Sequence, residues 1–130
     1  MAIYLDSSAI VKLVVQEAES AALRRYLRSD ARRVSCALAR VEVVRAVRPQ
    51  GAGTMTRART QLGRIDLVVV DDKLLDDAAE IGEGSALRSL DAIHLAAASS
   101  LAGDLDVIVT YDARMAQGAT ALGLPAVSPR

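Results

Sequence analysis

Apolar and polar positions along the chain follow two alternating rhythms. Short apolar runs recur between longer stretches whose apolar positions return every three to four residues, the patterns of buried strands and of amphipathic helices. Residues 2–5 read as a strand and 9–15 as a helix entered through Ser7-Ser8. Residues 17–28 read as an amphipathic helix with Ala21, Leu23 and Leu27 inward and Arg24, Arg25 and Arg28 mostly outward. A short strand over 34–37 precedes a helix over 38–47, with Val41, Val44 and Val47 on one face, stopped by Pro49 and the turn Gly51-Ala52-Gly53. Residues 55–62 form a further basic helix. The mostly β-branched run 67–70 predicts a buried strand, and 72–81 an acidic helix. Gly82-Glu83-Gly84-Ser85 reads as a loop. Residues 90–101 are apolar almost all round, as in a helix packed inside the structure. A strand over 106–110, a last helix over 112–122 and a short edge strand at 126–127 complete the series.

Strands separated by helices call for parallel pairing with right-handed crossovers, so the expected fold is a three-layer α/β/α sandwich, a single domain over residues 1–130 with a central, mostly parallel sheet. Ligands in such sheets bind beyond the C-terminal ends of the strands. Asp6 ends the first strand and Asp112 lies two residues beyond the 106–110 strand, so both acids are expected to face one crevice.

Composition narrows the chemistry. The chain has 130 residues, 52% of them hydrophobic, enough for one core without disulfides or a structural metal. Cys36 is the only cysteine and His94 the only histidine, which argues against thiolate chemistry, a zinc site and a Ser-His-Asp triad. No basic region precedes an apolar stretch at the start, and no apolar run approaches the ~18 residues of a membrane helix, so a soluble cytoplasmic protein is expected. The net charge of zero conceals a split: residues 1–65 carry 12 Lys/Arg against 5 Asp/Glu, and residues 66–130 carry 4 against 11. All but Lys12 and Lys73 of the cations are Arg, whose planar fork suits phosphate and carboxylate, so polyanion binding is compatible with the composition. Tyr4, Tyr26 and Tyr111 are too few to build a sheet that stacks successive bases.

Four acids stand out, each with a plainer explanation. Asp6 and Asp112 precede helices and suit N-caps. Asp91 follows Ser89 at the start of the 90–101 helix, where Ser89 suits the cap and the helix dipole favours a first-turn acid. Glu42 is harder to dismiss: it lies between Val41 and Val43-Val44, where a buried carboxylate needs a partner, and a solvent-facing helix edge beside Arg45 and Ala46 is the lesser alternative. Convergence changes the weight. Two carboxylates about 5 Å apart repel by about 3 kcal/mol at an effective dielectric of about 20. Four of them need a positive partner, and Mg²⁺ or Mn²⁺ prefers carboxylate and water oxygens and can hold a phosphate oxygen as well. One or two such ions suit in-line phosphodiester hydrolysis by activated water.

Tyr4-Leu5-Asp6-Ser7-Ser8-Ala9-Ile10-Val11-Lys12-Leu13, then Ser35 and Glu42, then Ser89-Leu90-Asp91-Ala92-Ile93-His94-Leu95-Ala96, then Val109-Thr110-Tyr111-Asp112-Ala113-Arg114-Met115 resemble, in this order and over the whole chain, the PIN-domain family, and within it the VapC-type toxin ribonucleases. The resemblance implies that Asp6, Glu42, Asp91 and Asp112 are an acidic quartet binding Mg²⁺ or Mn²⁺, with Asp6 and Asp91 the direct ligands and Ser8 and Thr110 supporting polar groups. It implies an endoribonuclease toxin of a type II pair, acting on cellular RNA of the tRNA or rRNA class. It also implies a cognate VapB-type antitoxin that can place a basic side chain in the acidic pocket, and a homodimer.

Several residues carry weaker readings. His94 lies three positions after Asp91, close to one helical turn, and suits a hydrogen-bonded core histidine better than a site residue. Arg114 suits a phosphate contact or a pair with Asp112. The cluster Arg24, Arg25, Arg28, Arg32 and Arg33 fits RNA backbone, a partner protein or a solvated face equally. Cys36 reads as a small buried hydrophobe. Gly51-Ala52-Gly53 and Gly82-Glu83-Gly84 lack the Lys-Ser/Thr of a phosphate loop. A receiver-like signalling domain also gathers acids at strand ends, but Lys12 and Lys73 are misplaced for it. A catalytically silent PIN-like binding module is the other alternative, and all four acids are present.

Overall fold

The computed structural model describes residues 1–28, 31–82 and 86–130. The apolar run after Met1 forms β1 (Ala2–Leu5), buried along its whole length. Alternation along it sends Ile3 and Leu5 into one core and Ala2 and Tyr4 into another. β1 passes directly into α1 (Ser7–Val14). The chain continues through α2 (Ser20–Tyr26), β2 (Arg32–Cys36), α3 (Ala39–Val47), a 3₁₀ turn, α4 (Ala52–Leu62), β3 (Asp66–Val68), α5 (Asp72–Ala79), α6 (Ser89–Ser99), a second 3₁₀ turn, β4 (Leu105–Val109), α7 (Ala113–Ala121) and β5 (Ala126–Val127).

The strands form one parallel sheet in the order β3-β2-β1-β4-β5. The chain builds outward from β1 to β3, then returns to place β4 on the other side of β1. The order therefore reverses between β1 and β4, and a crevice opens at their C-terminal ends. Helices α1 to α4 pack through Ile10, Leu23, Val43 and Leu62 on one face, and α5 to α7 through Leu74, Leu95 and Met115 on the other. The charge split of the two chain halves becomes a difference between these outer layers. Arg24, Arg25, Arg40, Arg45, Arg57 and Arg59 are exposed on α2 to α4, whereas Asp72, Asp76 and Asp77 are exposed on α5. Among the described residues no helix is long and apolar enough to cross a membrane.

The three-layer architecture agrees with the pattern of the sequence, and the differences are local. Val41 is 58% exposed, because α3 buries the i, i+4 row Ala39, Val43 and Val47 together with Val44 rather than the row through Val41. Ala21 is exposed, and α2 begins only at Ser20. The 67–70 run is not a buried strand: β3 is an edge strand paired only with β2, and Val69 beyond it is 70% exposed. α4 starts at Ala52, earlier than residue 55, after Gly51 at φ +99°, a conformation that glycine takes without strain. Asp6 caps α1, in keeping with its place before the helix, whereas Arg88 and not Ser89 holds the cap position of α6. Leu90 is 48% exposed, so α6 is not apolar all round at its start. Of the 82–85 loop, residues 83–85 lie outside the described residues.

Candidate active site

Asp6 is placed by the end of β1 and is buried. Its Oδ1 accepts from Ser8 Oγ at 2.6 Å and from the Ala9 amide at 3.0 Å, and its Oδ2 accepts from Thr110 Oγ1 at 2.5 Å. Burial raises the Asp6 pKa, against the opposing pull of those three donors. One side chain thus caps α1 and stands at the end of β1 facing β4, and Oδ2 retains a lone pair after the bond to Thr110. Thr110 follows β4 and also accepts from the Asp112 amide at 3.1 Å, while Ser8 Oγ accepts from the Tyr111 amide at 2.9 Å. The two strand ends are stitched together through Ser8 and Thr110, the residues expected to give polar support. Asp112 caps α7 through Oδ1, which accepts from the Arg114 and Met115 amides.

Glu42 projects from α3, half-buried, and both donors found for it among the described residues converge on Oε1: Ser7 Oγ at 2.8 Å and His94 Nε2 at 2.7 Å. Burial would raise its pKa, but His94 and Ser7 outweigh that and the net shift is downward. His94 is buried on α6. Its Nδ1 lies 2.7 Å from Tyr4 Oη and 3.6 Å from Cys36 Sγ, and its ring meets the Tyr4 ring edge-on. Burial works against the imidazolium, yet Cys36 and Glu42 prevail and hold the His94 pKa up at about 10. The Tyr4 phenol is pushed well above its ordinary value by burial. The core-histidine reading of His94 is therefore half the story: the ring is buried, and its outer edge is bonded to a candidate site carboxylate.

Asp91 sits one turn before His94, in the first turn of α6, and its Oδ2 accepts from the Arg88 amide at 3.3 Å. The Arg88 guanidinium lies 3.8 Å from Asp91 Oδ2 through Nε and 3.9 Å from Asp112 Oδ2 through Nη2. The cation found between these acids is Arg88 and not Arg114. The i, i+3 spacing of Arg88 and Asp91 was the available signal for it, and the segment that separates Arg88 from Asp112 in sequence hid the second contact. Ser7 was also missed, since its partner Glu42 comes from a different element.

The four acids are joined in a circuit, partly by polar contacts and partly through the chain itself. Asp6 reaches the Asp112 amide through Thr110, Asp112 reaches Asp91 through Arg88, Asp91 shares a helix turn with His94, His94 bonds Glu42, and Glu42 returns through Ser7 and its chain neighbour Ser8 to Asp6. All stand at the C-terminal end of the sheet, at the β1/β4 reversal. As a donor set of hard carboxylate oxygens the circuit fits a hard divalent cation. In the arrangement observed, no group of three or more His, Cys, Asp or Glu side chains among the described residues is set to hold a metal ion. Positive charge at this point comes from Arg88. The Arg24–Arg33 cluster lies elsewhere in the fold, where Arg24 bonds Gln16, Arg32 pairs with Asp66 and Arg33 donates to the Leu27 carbonyl.

Comparison with known proteins gives a consistent picture. The sequence model of the PIN domain matches residues 3–120. Ribonuclease VapC46 of Mycobacterium tuberculosis is 52% identical over 128 residues, covering 98% of both chains. Ribonuclease VapC35 of the same species is 40% identical over 131 residues, covering 98% of this chain and 96% of that one. Among solved structures, Mycobacterium tuberculosis VapC20, described as a sarcin-ricin loop cleaving toxin, superposes with a TM-score of 0.77 at 16% identity over 98% of this chain and 99% of that one. A toxin–antitoxin complex from Klebsiella pneumoniae gives 0.71 at 16% identity over 100% and 98%.

Proposed function

This chain belongs to the PIN-domain family and has relatives named as VapC ribonucleases along its full length, and from that premise we propose that it is a Mg²⁺- or Mn²⁺-dependent endoribonuclease, the toxin of a type II toxin–antitoxin pair acting in the cytoplasm. The observation that carries the reading is the circuit of Asp6, Glu42, Asp91 and Asp112 at the β1/β4 crevice. Asp6, through Oδ2, and Asp91 would hold the ion directly, with Asp112 and Glu42 completing the acidic ring and Ser8 and Thr110 fixing Asp6. When bound, the ion supplies a water of lowered pKa and neutralises charge on the scissile phosphate. The protein's own contribution is to hold the acids in place. Ser8, Thr110 and the Ala9 amide offset part of the burial of Asp6, and Ser7 and His94 fix Glu42. Arg88 neutralises Asp91 and Asp112 until a cation or a phosphate takes its place.

RNA of the tRNA or rRNA class is the expected substrate and a VapB-type antitoxin the expected partner, one whose basic side chain would occupy the pocket as Arg88 does within the chain. A homodimer would find apolar contact at Val41 and Leu90, both exposed beside Glu42. The test is cleavage of total RNA with and without Mg²⁺ by protein freed from a co-expressed antitoxin. Cleavage that needs Mg²⁺ and is lost in Asp91→Asn, with the fold intact, supports the proposal; undiminished cleavage in chelator or by Asp91→Asn rejects it.

A further inference from the structure

His94 is an ionisable group buried between the core and the crevice, bonded to Glu42 on its outer edge. A leucine at this position would be the simpler core residue, because a buried imidazole needs partners for both nitrogens. The structure supplies both, from different elements. Tyr4 of β1, buried two residues before Asp6, meets Nδ1 from the core side, and Glu42 of α3 meets Nε2 from the crevice side. The ring thus bridges the central strand and Glu42, the candidate site acid carried by α3.

We propose that His94 is the positioning residue for Glu42: it donates Nε2–H to Oε1 and, together with the Ser7 hydroxyl, pins that oxygen so that Oε2 is the atom offered to a divalent ion or its water. Nε2 carries a hydrogen both in the imidazolium and in the neutral tautomer that accepts the Tyr4 phenol proton at Nδ1. Donation to Glu42 is common to both forms, and the role does not depend on the ring's charge. Without it Glu42 keeps, among the described residues, the single rotatable Ser7 hydroxyl, and a carboxylate on a flexible stem samples several rotamers. Outer partners that orient the side chains around a metal are worth 10- to 100-fold in affinity or activity in other proteins. The inference rests on the metal-site reading of Glu42 given above.

The test uses the two amides that imitate one imidazole nitrogen each. In His94→Gln the terminal amide reaches the Nε2 position and still donates to Glu42. In His94→Asn the shorter amide reaches only the Nδ1 position and keeps company with Tyr4. Positioning predicts that His94→Asn lowers kcat for RNA by about tenfold or more at an unchanged KM and weakens Mn²⁺ binding, measured by calorimetry, by a similar factor, whereas His94→Gln stays within about threefold of the native protein. A purely structural histidine predicts the reverse order, since the asparagine retains the core contact. In a Glu42→Gln background His94→Asn should leave Mn²⁺ binding unchanged. Native-like cleavage and Mn²⁺ binding by a folded His94→Asn, or equal loss in both variants, overturns the proposal. On the native protein, ¹⁵N–¹H correlation of the ring should find the proton on Nε2 and a shift of that signal in Glu42→Gln; a bare Nε2 overturns it even if His94→Asn fails to fold. Native protein that neither binds Mn²⁺ nor cleaves RNA refutes the ribonuclease reading instead, and the ring correlation still decides the His94–Glu42 bond.

Discussion

Replacing Asp6 by Asn separates two jobs that the sequence superimposes on one residue. The carboxylate is buried and accepts three hydrogen bonds, from Ser8, Ala9 and Thr110. Removing its charge has opposing effects. Desolvation of a buried carboxylate costs several kcal/mol, which Asn relieves. Three charge-assisted bonds become neutral ones, each weaker by about 1 kcal/mol. The two sums nearly cancel, and the direction of the Asp6 pKa decides the sign: it is raised, so above that pKa the ionised form holds the folded state less well than a neutral one. Asn keeps an oxygen for the Ala9 amide, so the α1 cap survives. Asp6→Asn is therefore expected to be more stable in chelator by about 1 kcal/mol, or about 4 °C for a domain of this size. Added Mg²⁺ or Mn²⁺ should reverse the order. At ten times its dissociation constant an ion stabilises the native protein by about 1.4 kcal/mol and leaves a variant without the site unchanged. Differential scanning fluorimetry in chelator and across a Mn²⁺ titration reads both effects. A variant that melts several degrees below the native protein in chelator would mean that the Asp6 charge serves the fold and that its three donors outweigh its desolvation.

Three further perturbations test other links. Gly118 in α7 leaves no room for a Cβ, which would lie 2.9 Å from Leu87 and Leu95 side-chain atoms, so Gly118→Ala should lose about 1 kcal/mol net: overpacking costs about 1–3 kcal/mol and helix propensity returns up to about 1. Urea unfolding that shows a more stable variant refutes this. The His94 pKa is raised to about 10, so its contribution to stability is present in full below its unfolded value near 6.5 and is lost as pH rises through about 10. The lowered Glu42 pKa adds stability that is lost as pH falls below the ordinary glutamate range. Thermal melts of native protein against His94→Gln should therefore diverge near pH 6 and converge above pH 10, and a constant gap rejects the linkage. Arg88 is 65% exposed, and its contacts at 3.8 and 3.9 Å are worth no more than about 0.5 kcal/mol, so Arg88→Ala should leave the melting temperature nearly unchanged while tightening Mn²⁺ binding. Weaker Mn²⁺ binding by a folded Arg88→Ala would show that the guanidinium helps to shape the site rather than to fill it.

The architecture was legible because strand and helix periods alternate cleanly and parallel connections leave few topologies. Asp6 and Asp112 could be placed from their positions after strands alone, since the sheet itself brings β1 and β4 together. Glu42 and Asp91 needed the motif resemblance, because nothing in their local pattern says which way α3 and α6 turn. The errors share a cause. Val41, Val69 and Leu90 are apolar yet exposed, and hydropathy alone cannot tell a residue facing the core from one beside a crevice or on a sheet edge. The partners of the acids, Ser7, Arg88 and His94 with Tyr4, were out of reach for a further reason. Apart from Arg88 with Asp91, an i, i+3 pair, each bond joins different elements, and sequence periodicity carries no information on such contacts.

The partners also explain how four acids can meet at one end of a sheet. Asp6 is held by neutral donors, Glu42 by an imidazole and a hydroxyl, and Asp91 and Asp112 by a shared guanidinium. Each acid therefore has its own compensation, and no single cation is needed for the chain to fold. The compensations differ in how easily they yield. The bonds to Asp6 and Glu42 are short and at least partly buried, so they persist when a ligand arrives. The Arg88 contacts are long, exposed and inside screening distance of solvent, so they give way to a stronger cation or follow a phosphate. With two firm supports and one loose one, the acidic cluster yields most easily on the side of Asp91 and Asp112, where the proposed ion would compete with Arg88 alone.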